Sequence, residues 1–120
     1  MTIVALDHIQ LALPKGSEDQ MRAFYCGPLE MTEVPKPLPL SGRGGFWAMA
    51  GPIQVHFGVD PDFTPASKAH PAFVVDDLDA LAQRLSSGGY TVKWDTALPE
   101  IKRFFTSDPV GNRIELIAQT

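Results

Sequence analysis

One cysteine, Cys26, stands alone in 120 residues. No internal disulfide can form, and no second thiolate supports a structural zinc knuckle. The default compartment for such a chain is the cytosol. No stretch approaches the roughly 20 apolar residues of a membrane span. The start, Met1-Thr2-Ile3-Val4-Ala5-Leu6-Asp7, lacks a basic region and a long apolar core, so no signal peptide is expected. Lys and Arg number 10 against 14 Asp and Glu, and they are scattered. With no basic stripe, neither nucleic acid nor an anionic membrane is an expected partner. Histidine is scarce as well, with three in the chain, so the positions of those three matter. Small-molecule chemistry and protein contact remain. The rest is ordinary globular composition, 44% apolar and 20% charged, in a length that suits a single domain, 1–120.

Residues 6–13 alternate with a period of two. Ile9, Leu11 and Leu13 take one face, and His8, Gln10 and Ala12 take the other, which predicts a strand. Pro14-Lys15-Gly16 breaks it. Ser17 then reads as a helix N-cap with Gln20 as its capping-box partner. Met21, Phe24 and Tyr25 form one apolar helical face, and Gly27-Pro28 ends the helix. A short strand is expected at 31–34. The segment 35–45 holds three prolines and three glycines and reads as a mobile loop. Strands follow at 46–50 and 53–59. In the second, Gln54, His56 and Gly58 lie opposite Ile53, Val55, Phe57 and Val59.

After a linker at 60–68 the pattern restarts. A strand at 69–75 places His70, Ala72 and Val74 on one face. Asp76 and Asp77 cap a helix whose stripe is Leu78, Leu81, Ala82 and Leu85. Strands are expected at 90–94, 102–106 and 113–118, the last entered through a turn at 108–112. The order is βαβββ, linker, βαβββ: module one at 3–60 and module two at 69–119. The repeat matches His8 with His70 and Gln54 with Glu115.

Each helix must cover one face of its sheet. The opposite faces carry His8, Gln10, Gln54, His56, His70, Arg113 and Glu115. If the modules pair about a pseudo-twofold axis, these faces meet in one cleft. Two neutral imidazoles and a carboxylate suit a divalent metal with open positions. Taken singly, each histidine is equally readable as a hydrogen-bonded or surface residue, and Glu115 as a solvated carboxylate paired with Arg113.

The chain resembles the vicinal oxygen chelate superfamily, which includes glyoxalase I, fosfomycin-resistance enzymes, bleomycin-resistance proteins and extradiol dioxygenases. The resemblance rests on Leu6-Asp7-His8-Ile9, on Phe24-Tyr25, on the run from His70 to Leu78 and on Asp108-Pro109-Val110-Gly111-Asn112-Arg113-Ile114-Glu115-Leu116. It implies an α+β fold of two paired βαβββ modules. It implies one divalent ion per chain (Mn, Fe, Ni or Zn) held by His8, His70 and Glu115. It also implies a small oxygenated substrate chelated to that ion, lyase-like or transferase-like chemistry, and a homodimer. At a position that is Glu in bacterial-type glyoxalase I this chain has Gln54, which points away from that enzyme. The alternative is a non-catalytic drug-binding protein of the bleomycin-resistance kind.

Beside the metal set, Gln54 and His56 are the catalytic candidates. Gln54 would orient a water or substrate, or would fill the cavity floor. His56 would be a fourth ligand, a proton shuttle with an ordinary imidazole pKa, or a cavity wall. Trp47, Arg103, Phe105 and Arg113 are the substrate-contact candidates. Arg103 would hold an anionic group, with an exposed strand arginine as its plainer reading, and Arg113 would tune a neighbouring ligand.

Overall fold

A computed structural model describes residues 2–120. The chain forms two compact units, Met1–Phe63 and Thr64–Thr120. In the first, the elements are β1 (Ile9–Leu13), α1 (Glu18–Tyr25), β2 (Thr32–Val34), a 3-10 turn at Leu38–Arg43, β3 (Phe46–Ala50) and β4 (Ile53–Val59). In the second they are β5 (Ala72–Val75), α2 (Leu78–Ser87), β6 (Lys93–Asp95), β7 (Arg103–Ser107) and β8 (Arg113–Ala118). Each unit is one mixed four-stranded sheet, ordered β1-β4-β3-β2 and β5-β8-β7-β6. The first strand of each unit runs parallel to the last, with Gln10 beside His56 and Ala72 beside Glu115. The remaining pairs are antiparallel. The fold is α+β and repeats βαβββ twice, as the alternation of patterns predicts.

The apolar stripes explain the packing. Met21, Phe24 and Tyr25 of α1 are fully buried, as are Leu13, Ala48 and Val55. Tyr25 and Phe46 both meet the Phe57 ring, at 4.6 and 4.3 Å between centroids. In the second unit Leu78, Leu81 and Leu85 bury with Phe104, Ile114 and Leu116. Each such side chain contributes about 1.5–3 kcal/mol. This packing commits one face of each sheet, so the alternate residues of the same strands must lie on the other.

The first strand is shorter than its alternation suggests and begins at Ile9, where pairing with Val55 begins. Alternation alone does not make a ladder without a partner strand. The fifth likewise starts at Ala72: Pro71 has no N–H to donate, although its carbonyl accepts from Glu115 N at 3.0 Å. The sixth is Lys93–Asp95 rather than 90–94. Asp77 caps α2 through Ala80 N. Ser17 sits at the start of α1, but its hydroxyl donates to the Pro14 carbonyl instead of closing a capping box.

The proline- and glycine-rich segment carries specific ties. Lys36 Nζ donates to the Gly44 carbonyl, and Gly45 N donates to Glu18 Oε2 at 3.1 Å. That second bond, from the backbone, is the main cause holding the Glu18 carboxyl below its ordinary value. Gly45 has φ +73°, and a Cβ there would lie 2.0 Å from the Phe57 carbonyl oxygen. A side chain at Gly45 must therefore displace β4. Gly42 has open space and no such φ. Gly45→Ala should cost about 2–4 kcal/mol in urea unfolding, while Gly42→Ala stays within about 0.5 kcal/mol. Equal losses would show that the close approach to Phe57 does not constrain the fold.

Candidate functional site

On the second unit, the sheet face opposite α2 collects a chain of polar contacts. The register sets Lys93, Phe105, Glu115 and Ala72 in one row, and Asp95, Arg103 and Ile117 in the next. Glu115 has a side chain only 6% exposed, and both its oxygens are taken. Oε1 lies 2.9 Å from His70 Nε2, and Oε2 accepts from Arg103 Nη1 at 3.1 Å. Arg103 Nη2 donates to Asp95 Oδ2 at 2.9 Å. The other Asp95 oxygen accepts from Ala97 N. That backbone bond, ahead of the Arg103 guanidinium, keeps the Asp95 carboxyl below its ordinary value.

Arg103 is thus a part-buried bridge between two carboxylates. It is not the exposed arginine of the plainer reading, and each terminal nitrogen gives one of its two N–H groups to a carboxylate. Its Nε is buried and has no hydrogen-bond partner among the described residues. Glu115 pairs with Arg103, not with its strand neighbour Arg113. The Arg113 guanidinium lies over the Phe105 ring at 4.0 Å.

The contacts of His70 define its tautomer. Nδ1 is 2.7 Å from the Lys68 carbonyl. A carbonyl only accepts, so Nδ1 carries the hydrogen. Nε2 then turns a lone pair toward a carboxylate oxygen, and two acceptors at 2.9 Å need a cation between or beside them. A proton satisfies this, and so does a metal. Ligand atoms held at about 2.1 Å and roughly at right angles on one ion sit about 3 Å apart. The His70–Glu115 pair therefore fits a divalent ion in donor type and in spacing.

On the first unit, the corresponding face carries His8, Gln10, Trp47, Gln54 and His56. Trp47 pairs with His56 across β3 and β4, and their rings are parallel with centroids 3.7 Å apart. His8 stacks on His56 at 4.0 Å. His56 is thus buried beside two rings. Burial, and then the neighbouring His8, pull its pKa below the ordinary histidine value. Both causes favour the neutral form of the ring. Its Nε2 stands 3.4 Å from Gln54 Oε1, a loose contact. His8 repeats the logic of His70: Nδ1 is 2.8 Å from Asp7 Oδ1, which leaves Nε2 as the lone-pair nitrogen. These residues line a cavity of about 530 Å³ with Lys36, Leu40 and Arg43.

The structure brings together His70, Glu115 and Arg103 in one unit, and His8, His56, Gln54 and Trp47 in the other. Among the described residues, no three His, Cys, Asp or Glu side chains form a ready metal cluster. Sequence reasoning missed Asp95, Asp7 and the Lys68 carbonyl, which hold the other groups in place. Asp95 shares strand parity with Lys93, and it fell just past the end of the strand expected at 90–94.

No family model matches the sequence, and no curated protein matches it. Solved structures do. A protein from Bacillus anthracis described as belonging to the glyoxalase family is 44% identical, with TM-score 0.95 over 100% of this chain and 98% of that one. A FosX fosfomycin resistance protein from Listeria monocytogenes, solved with Mn(II) and dihydroxypropylphosphonic acid, is 17% identical, with TM-score 0.80 over 99% and 93%. A lactoylglutathione lyase from Agrobacterium tumefaciens is 17% identical, with TM-score 0.72 over 98% and 96%. The last two share the fold.

A histidine held below its ordinary value binds its proton less readily folded than unfolded. The stability linked to His56 is therefore full above about pH 6.5, the ordinary value, and is lost as pH falls through the lowered one. NMR titration should place the His56 midpoint below that of an unfolded histidine. His56→Gln should flatten that part of the acid limb of stability. A midpoint at or above 6.5 would contradict the buried, stacked geometry.

Proposed function

Because the chain belongs to the glyoxalase family of the vicinal oxygen chelate superfamily, we propose that it is a metal-dependent enzyme in which His8, His70 and Glu115 bind one divalent ion. The substrate is small and oxygenated, and the chemistry is lyase-like or transferase-like. The observation that carries this reading is the His70–Glu115 pair. An imidazole with Nδ1 committed to a carbonyl faces a buried carboxylate at 2.9 Å. His8 is the third ligand in this reading, with Nδ1 likewise committed, to Asp7. Such anchoring fixes the ring and raises the basicity of the ligating nitrogen. Metal dependence is supported by the Mn(II) bound to the FosX relative.

A bound divalent ion supplies Lewis-acid stabilisation of negative charge on a substrate oxygen. The protein's groups do the rest. Arg103 holds Oε2 of Glu115, so that Oε1 stays turned to His70. Gln54 offers an amide that orients a substrate oxygen on the first unit's face. His56, kept neutral, accepts a proton or walls the cavity beside Trp47. Phe105 and Arg113 contact substrate on the second unit's face.

A homodimer is part of the proposal. The strands β1 and β5 are sheet edges. Val74 on β5 is 64% exposed, and Ile3, Val4 and Leu6 ahead of β1 are exposed as well. Apolar edges of this kind are covered in stable proteins. Light scattering should give twice the chain mass, and Val74→Lys should shift it toward one.

Metal analysis tests the central assignment. The purified protein should hold about one divalent ion per chain, and His8→Ala, His70→Ala and Glu115→Ala should each lose it. Full metal content in all three variants would place the ion elsewhere. No metal after reconstitution with Mn, Fe, Ni or Zn would remove the enzyme reading in this form.

A further inference from the structure

We propose that Arg113 and Lys93 form an oxyanion site on the second unit, and that the substrate of this protein carries a carboxylate, phosphate or phosphonate group seated there. The inference deepens the reading above and rests on it for the word substrate. The anion site itself rests on the second unit alone.

The argument starts from a charge inventory of the face opposite α2. Two carboxylates, Asp95 and Glu115, stand there with Lys93, Arg103 and Arg113. All four carboxylate oxygens are engaged. Those of Glu115 meet His70 and Arg103, and those of Asp95 meet Arg103 and Ala97 N. Arg103 therefore takes one oxygen from each. Among the described residues, Lys93 and Arg113 have no carboxylate within ion-pair distance. A divalent ion on His70 and Glu115 would add positive charge and enlarge the excess.

The surroundings suit a bound oxyanion. Arg113 and Lys93 line a cavity of about 680 Å³ with Phe105, Thr91, Ser107 and Asp95, whose two oxygens are already engaged by Arg103 and Ala97 N. That volume lies within the range of small-molecule sites. The Arg113 guanidinium lies over Phe105, which shields one of its faces. A stacked guanidinium keeps its N–H groups in its own plane, free to donate two parallel bonds to a carboxylate or phosphoryl group. Thr91 and Ser107 add hydroxyl groups. Phe105 supplies an apolar wall for the body of the ligand. Arg113 lies two residues from Glu115 on the same face of β8. That spacing, about 7 Å along the strand, sets the anion site beside the proposed metal ligands.

The site is testable without metal and without a known substrate. Inorganic phosphate and, separately, acetate would be titrated into the metal-free full chain and followed by two-dimensional NMR. Saturable shifts should fall on Lys93, Phe105 and Arg113. Arg113→Gln should weaken binding at least tenfold, Lys93→Gln should weaken it less, and Arg113→Lys should restore part of it. Arg113→Gln should keep the metal content of the wild type. Tighter phosphate than acetate would assign a phosphoryl or phosphonate substrate, and the reverse a carboxylate. Unchanged binding in Arg113→Gln would overturn the proposal. So would shifts centred on Lys36 and Arg43 of the first unit, or loss of metal with Arg113→Gln. Failure of the metal assignment alone would appear as an anion site in a chain that binds no divalent ion.

Discussion

A carboxylate removed from water costs several kcal/mol unless the fold returns its charge partners. Glu115 is such a group. The helix-facing side of β8 requires Ile114 and Leu116 in the core, and strand parity then fixes Glu115 on the opposite face. There the neighbouring strands supply what it needs. Arg103 arrives from β7, and His70 stands just ahead of β5. Asp95, from β6, holds the second arm of Arg103. The second unit's polar face is thus organised around one desolvated charge. Removing Arg103 or His70 would leave that charge short of a partner, so the arrangement is far more constrained than a surface salt bridge.

The same economy of contacts governs the histidines. His8 and His70 each spend Nδ1 on a neighbouring oxygen and leave Nε2 for another partner. His56 is built differently. It is buried against Trp47 and His8, and that environment disfavours its charged form. A positive imidazole there would be desolvated and would meet a second imidazole face to face. Three histidines in one chain are thus divided by their surroundings into two tied through Nδ1 to a neighbouring oxygen and one ring stacked into the cavity wall.

Much of this was legible in the sequence because the signals were periodic. The alternation at Ile53–Val59 and Arg113–Ala118 fixed which side chains share a face. The stripe Leu78, Leu81, Ala82 and Leu85 fixed the helix that covers the other face. The double βαβββ pattern was visible as a repeat. Partner choice was not visible. Arg103 and Arg113 sit on adjacent strands with similar parity, and only the register, Phe105 opposite Glu115 and Ser107 opposite Arg113, shows which guanidinium reaches the carboxylate. The ties of the 35–45 segment were hidden for a similar reason. The bond from Gly45 to Glu18 spans 27 residues, and composition records only prolines and glycines. Strand ends were the other weak point, since residues 6–8 alternate but have no strand to pair with.

The account depends most on which nitrogen of His70 faces Glu115. Ring ¹⁵N shifts of His70, measured by NMR with and without added Zn, test this directly. The geometry predicts that Nδ1 stays protonated in both states, and that Nε2 alone moves when the metal is added. A metal-induced shift at Nδ1, or no shift at either nitrogen while other side chains respond, would contradict it.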